Sequence, residues 1–183
     1  QVINAVEAVL KSWDNERAVF YRKMNNIPAE WGTACVIQSM VFGNLNDNSG
    51  TGVLFTRDPD TGDGKILGEF LVNAQGEDVV AGIKTPMKLE EMSNWNDSIY
   101  GELSDTVLKL EAAKGDVQDV EFTIQDGKLY ILQTRNAKRS ARAALKIALD
   151  MVDEGMITAK QAAQRVKARD LDLAQSPVVD PSF

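Results

Sequence analysis

One stretch constrains the fold more than any other: DVEFTIQDGKLYILQTR, residues 119–135. Two β-rich runs flank Asp126-Gly127, a dipeptide that tolerates positive φ and turns a chain back on itself. The spacing predicts strands over 119–125 and 128–135. Alternation puts Val120, Phe122 and Ile124 on one face of the first strand, leaving Asp119 and Glu121 on the other. Two carboxylates side by side on a strand repel unless a cation or guanidinium lies between them. The second strand offers Gln133 and Arg135, also two residues apart.

Composition narrows what such a site can do. The chain has 183 residues and no histidine, so a Ser-His-Asp triad, a Cys-His pair, a His-ligated metal and a phosphohistidine are impossible within it. Cys35 is alone, which excludes an intrachain disulfide and a Cys-rich zinc site. Chemistry falls to carboxylates, amides, Lys and Arg, which favours oxygen-ligated cations such as Mg²⁺, and phosphate. The net charge of −7 argues against nucleic acid as a partner. No apolar run is long enough to cross a membrane as a helix. The start, at Gln1, has neither an initiator Met nor a basic leader and reads as that of an excised piece.

Before the hairpin, residues 1–24 read as helix, broken near 13–15, with Ser12 or Asp14 able to cap the second segment. The run TACVIQSMVF is apolar on both faces and reads as a buried strand over 33–43. Further strands are expected over 51–57 and 65–73, with loops at 44–52 and 73–82. A helix over 98–113 turns Ile99, Leu103, Val107, Leu108 and Leu110 inward. After the hairpin comes an amphipathic helix over 137–154, stopped at Gly155. Thr158 and Gln161 form a capping box opening another helix to about Lys167, and the end, AQSPVVDPSF, reads as extended linker. Residues 138–183 carry eight basic and six acidic residues, net +2, while the first 137 carry twelve and twenty-one, net −9. A domain boundary therefore falls after Arg135.

Taken alone, Asp119, Glu121, Gln133 and Arg135 admit two readings. They can form an oxygen-rich site for Mg²⁺ and phosphates with a neutralising guanidinium. They can equally be the solvated face of a sheet, with Arg135 in a surface salt bridge. Ser49-Gly50-Thr51-Gly52 could offer backbone N–H groups to phosphate, although no Lys follows as in a P-loop, and an ordinary loop explains it as well. Gln38 and Ser39 interrupt an apolar run and need a partner, backbone or ligand.

The strings AVEAVLKSWDNERAVFYRKMNNIP, VIQSMVFGN, SGTGVLFTRDP, GEFLVNAQGEDVVAGIKTP and DVQDVEFTIQDGKLYILQTRNAKR, in that order, closely resemble the pyruvate phosphate dikinase family. The resemblance implies an α+β fold: an ATP-grasp-like, mostly antiparallel sheet with packed helices, followed by a helical extension. It implies a partial ATP-grasp nucleotide-binding subdomain over 1–136 and a helical linker over 137–183, leading to a phosphohistidine domain outside the chain. The family passes phosphoryl groups from ATP to a carrier histidine, then to phosphate and pyruvate, forming AMP, pyrophosphate and phosphoenolpyruvate. By resemblance Gln38, Ser39 and Met40 contact adenine, Glu121 and Gln133 hold Mg²⁺ and nucleotide, and Asp119 and Arg135 complete the polyphosphate site. The parent is implied to be a homo-oligomer in the cytoplasm, or alternatively in a plastid or another organelle. This piece alone is expected to have no turnover. A phosphoenolpyruvate synthase or a non-catalytic ATP-grasp interaction domain are the competing readings.

That chemistry collides with the turn. A strict two-residue loop pairs Glu121 with Leu132 and Asp119 with Thr134, sending Gln133 and Arg135 to the opposite face beside Val120. The expected resolution is an odd loop, Gln125-Asp126-Gly127, with a bulge at Gly127. Val120, Phe122, Ile124, Tyr130 and Leu132 would then share the other face.

Overall fold

The computed structural model describes residues 1–80 and 85–175. The chain divides into two compact units, 1–40 and 41–183. The first holds α1 (Val2–Lys11), a 3₁₀ turn at Ser12–Asp14 and α2 (Glu16–Met24). The cap is Asn15 rather than Ser12 or Asp14, its side chain accepting from the Ala18 N–H at 2.7 Å. Arg22 folds back over Trp13, its guanidinium 4.0 Å from the ring centroid and donating to the Trp13 carbonyl.

The expected strand over 33–43 is not formed. Residues 31–42 adopt neither helix nor strand, and Val36, Ile37 and Met40 are exposed. A strand needs a neighbour for its backbone, and the described elements of this unit are helical.

The second unit is built on an antiparallel sheet of β1 (Gly50–Phe55), β2 (Leu67–Val72), β3 (Met87–Lys88), β4 (Gln118–Gln125) and β5 (Lys128–Asn136). The strand order is β3-β2-β1-β4-β5, which with the helices makes the α+β fold expected. Gly50-Thr51-Gly52 lies in the central strand, paired on both sides, so its backbone serves the ladder rather than a phosphate. Gly52 is required there: a Cβ would stand 2.5 Å from the Phe122 ring and from the Glu69 carbonyl. The expected loop at 73–82 contains a short helix, α3 (Gly76–Val80).

One face of the sheet packs on α4 (Met92–Lys114). The regular helix begins after Asn96, whose backbone is extended and whose side chain accepts from the Ile99 N–H. Ile99, Leu103 and Val107 meet Leu54, Phe70, Val120, Phe122 and Ile124 in the first core. Leu108 is half-exposed, contrary to expectation, because Glu111 takes the next inward position after Val107. Gly115, at φ 61°, ends the helix in the left-handed conformation.

A second core forms around α5 (Ala141–Asp153) and α6 (Ala159–Arg165), where Ala143, Ile147, Ala148, Met151 and Ala162 pack with Val117 and Ala137. The Thr158–Gln161 capping box is present. A further helix, α7 (Ala168–Gln175), takes in Ala174 and Gln175, the first two residues of the expected extended end; the rest of that end lies outside the described residues. Among the described residues, no helix is long and apolar enough to cross a membrane.

Two ion networks tie these helices to the sheet. Arg57, just after β1, donates to Glu111 of α4 and to Glu154 at the end of α5. The Thr56 hydroxyl also donates to Glu111. Arg139 makes a two-pronged pair with Asp116, while Arg165 donates to the Gly115 carbonyl.

Candidate functional site

The site is set by the β4–β5 register. Asp126 and Gly127, at φ 49° and 76°, form a two-residue loop, and Gln125 pairs with Lys128. Positive φ at both positions matches the primed turn whose twist suits flanking strands. The tip is pinned from outside: the Asp126 N–H donates to the Ser49 hydroxyl and the Gly127 N–H to the Asn48 carbonyl. The odd loop expected from sequence is therefore absent.

Parity is corrected further along the strand. Phe122 pairs with Ile131, but Glu121 pairs with Gln133, so Leu132 is an extra residue on β5. This β-bulge re-phases the rest of the strand. Beyond it Val120 faces Thr134 and Asp119 faces Arg135. Leu132, more than half exposed, takes no place in the core, and Tyr130 pairs with Thr123 on the other face. Leu129 and Ile131 occupy the core positions expected of Tyr130 and Leu132.

Asp119, Glu121, Gln133 and Arg135 thus stand on one face, away from the core that buries Val120, Phe122 and Ile124 completely. The Arg135 Nε donates to Asp119 Oδ2 at 2.6 Å, and Nη2 lies 3.6 Å from Glu121 Oε1. The bond to Asp119 raises the guanidinium pKa further, so its charge is fixed at any working pH. The Arg135 side chain is 57% exposed and that of Asp119 only 15%, so the cation reaches outward from a seated carboxylate. Glu121 and Gln133 are cross-strand partners offering a carboxylate and an amide. Among the described residues no group of three or more His, Cys, Asp or Glu could hold a metal. The oxygen donors here are two carboxylates and one amide, a hard set suited to a small divalent cation completed by phosphate and water. A groove of about 400 Å³ runs along neighbouring strands, lined by Val53, Phe55, Ile66, Leu67, Glu69 and Lys88. Val53 and Phe55 are the β1 partners of Glu121 and Asp119.

Gln38, Ser39 and Met40 belong to the other compact unit, in its irregular, exposed stretch. The four hairpin residues are brought together within a single unit.

Residues 1–95 and 84–156 match the family described as pyruvate phosphate dikinase, AMP/ATP-binding domain. The chain belongs to this family. Among similar proteins named pyruvate, phosphate dikinase, that of Clostridium symbiosum is 54% identical over 182 residues, covering 100% of this chain and 21% of the relative. That of Rhizobium meliloti (strain 1021) is 48% identical over 193 residues, covering 99% and 22%. The Arabidopsis thaliana protein, pyruvate, phosphate dikinase 1, chloroplastic, is 51% identical over 179 residues, covering 97% and 19%. The chain therefore spans about a fifth of the length of these dikinases.

Two features of this dikinase-family hairpin escape the sequence reading. Leu132 carries no residue-type signal of a bulge. Gln118 does carry one: it heads the inward series Gln118, Val120, Phe122, Ile124 as its single polar member, and it is 1% exposed.

Proposed function

We propose that this chain is the nucleotide-holding portion of a pyruvate phosphate dikinase, an ATP-grasp module that presents Mg-ATP to a carrier histidine on another domain. The observation that carries the reading is the convergence of Asp119, Glu121, Gln133 and Arg135 on one sheet face. Glu121 and Gln133 would hold Mg²⁺, which when bound supplies charge neutralisation on the polyphosphate. Arg135 offers a planar fork to phosphoryl oxygens and stabilises the charge that develops during transfer. Asp119 fixes the guanidinium through its Nε, leaving Nη1 and, beside Glu121, Nη2 to meet ligand. Gln38, Ser39 and Met40 are assigned to adenine. The chain has no histidine, so the phosphoryl acceptor lies outside it and the piece alone turns nothing over. The parent then converts ATP, phosphate and pyruvate to AMP, pyrophosphate and phosphoenolpyruvate.

The test is Arg135→Ala in the full-length parent. The ATP half-reaction should fall by roughly 10²–10³, the scale of losing one preorganised charge stabiliser, while the phosphoenolpyruvate half-reaction is spared. Arg135→Lys should recover part of the loss, because charge returns without the fork. Equal loss in both half-reactions would sink the assignment.

A further inference from the structure

Arg135 owes its direction to a strand segment that has just been re-phased by a bulge, where pairing is locally weakest. The residues on either side of it, Thr134 and Asn136, are both held by one buried side chain. Gln118 Oε1 accepts from the Thr134 hydroxyl at 2.8 Å, and Gln118 Nε2 donates to Asn136 Oδ1 at 3.0 Å. The same Nε2 donates to the Asp116 carbonyl at 2.8 Å. The Gln118 backbone is fixed in turn: its N–H donates to the Thr56 hydroxyl, and its carbonyl accepts from the Thr56 N–H.

We propose that Gln118 is the positioning residue of Arg135, its buried amide clamping β5 on both sides of the guanidinium and holding the strand in the phase that the Leu132 bulge creates. The inference rests on the reading of Arg135 given above. Its physical basis is the cost of the alternatives. A slip that absorbs Leu132 into the ladder brings Arg135 opposite Gln118 on the core face. It also takes the Thr134 hydroxyl from Gln118 Oε1 and leaves Nε2 with the Asp116 carbonyl alone, since the two cross-strand bonds form only where Thr134 and Asn136 now stand. A Gln here is therefore a device for register, in a series where an apolar residue would pack as well.

The test uses the full-length parent enzyme with Gln118→Met, which keeps volume and removes the amide. Its ATP half-reaction should fall roughly ten- to a hundred-fold, the scale of a misplaced reacting group, with a much smaller change in the KM for Mg-ATP. The phosphoenolpyruvate half-reaction should be unaltered. Combined with Arg135→Ala, Gln118→Met should cost less than about a further two-fold, because the two act as one unit. Thr134→Val removes one bond of the clamp at a half-buried position and should reproduce the pattern at smaller size, which keeps the test open if Gln118→Met does not fold. The inference is overturned if Gln118→Met and Thr134→Val cost the same factor with and without Arg135, or slow both half-reactions equally. An Arg135→Ala enzyme with its full ATP half-reaction removes the reading of Arg135 and this inference with it. One that loses the half-reaction while Gln118→Met does not overturns the inference alone.

Discussion

Arg57→Met tests whether the helices after the hairpin are fastened to the sheet by charge. Arg57 and Glu111 are 5% and 3% exposed. The guanidinium donates to Glu111 Oε1 at 3.0 and 2.8 Å and reaches Glu154 at 2.8 and 2.5 Å. The bonds it donates to Glu154 and to Glu111 outweigh burial and push its pKa up. Removing it leaves Glu111 buried with the Thr56 hydroxyl as its remaining side-chain partner, a loss of about 3–5 kcal/mol. The Glu154 side chain is 44% exposed, so that pair adds at most about 1 kcal/mol. For a unit of about 140 residues, each kcal/mol moves Tm by roughly 3–5 °C, so calorimetry should show a drop of roughly 10–30 °C. Arg57→Met with Glu111→Leu should return to within about 1 kcal/mol of the parent, since an apolar pair fills the space without a stranded charge. The sign of the pH effect follows from Glu154, whose pKa the Arg57 bond lowers. Stability from that pair is complete above the ordinary glutamate range and is lost as pH falls through the depressed value, so the deficit of Arg57→Met should narrow in acid. A single variant within 1 kcal/mol of the parent, or a double variant worse than the single, would refute the reasoning.

Gly52→Ala should destabilise the unit by about 1–3 kcal/mol in urea titration, because the new methyl meets the fully buried Phe122 ring and a strand carbonyl. Deleting Leu132 should leave Asp119 opposite Arg135 and Glu121 opposite the former Gln133, since the two-residue turn then runs in unbroken register. Cross-strand contacts in NMR would read this directly, and Arg135 facing Gln118 would contradict it.

The hairpin was legible because three signals agree within seventeen residues: turn chemistry, alternation and paired polar positions. The correction of its parity was not. An odd loop and a bulge beyond an even loop give the same faces at Asp119 and Arg135, and a bulge has no preferred residue. What selects between them is the tip, where Ser49 and Asn48 hold Asp126 and Gly127 from a loop nearly eighty positions away. The apolar run at 33–43 misled for the opposite reason. Its composition describes a strand between two layers, but strand formation depends on a partner that the run itself cannot supply. Helix signals fared better, being local: the Thr158 box and the stop at Gly155 needed no distant contact. The exception is α7, whose start has no capping signal of that strength.

The Leu132 bulge makes the content of the site a matter of where one extra residue is placed. Moved two positions on, to Thr134, it would leave Arg135 facing Asp119 but turn Gln133 inward beside Val120 and set Leu132 opposite Glu121. Moved back toward the tip, it would keep all four polar residues on their face and exchange only the apolar residues behind them. The hairpin therefore behaves as a sliding selector. The strand sequence supplies two interleaved sets of side chains, and the address of the defect decides at which point the outward set takes over.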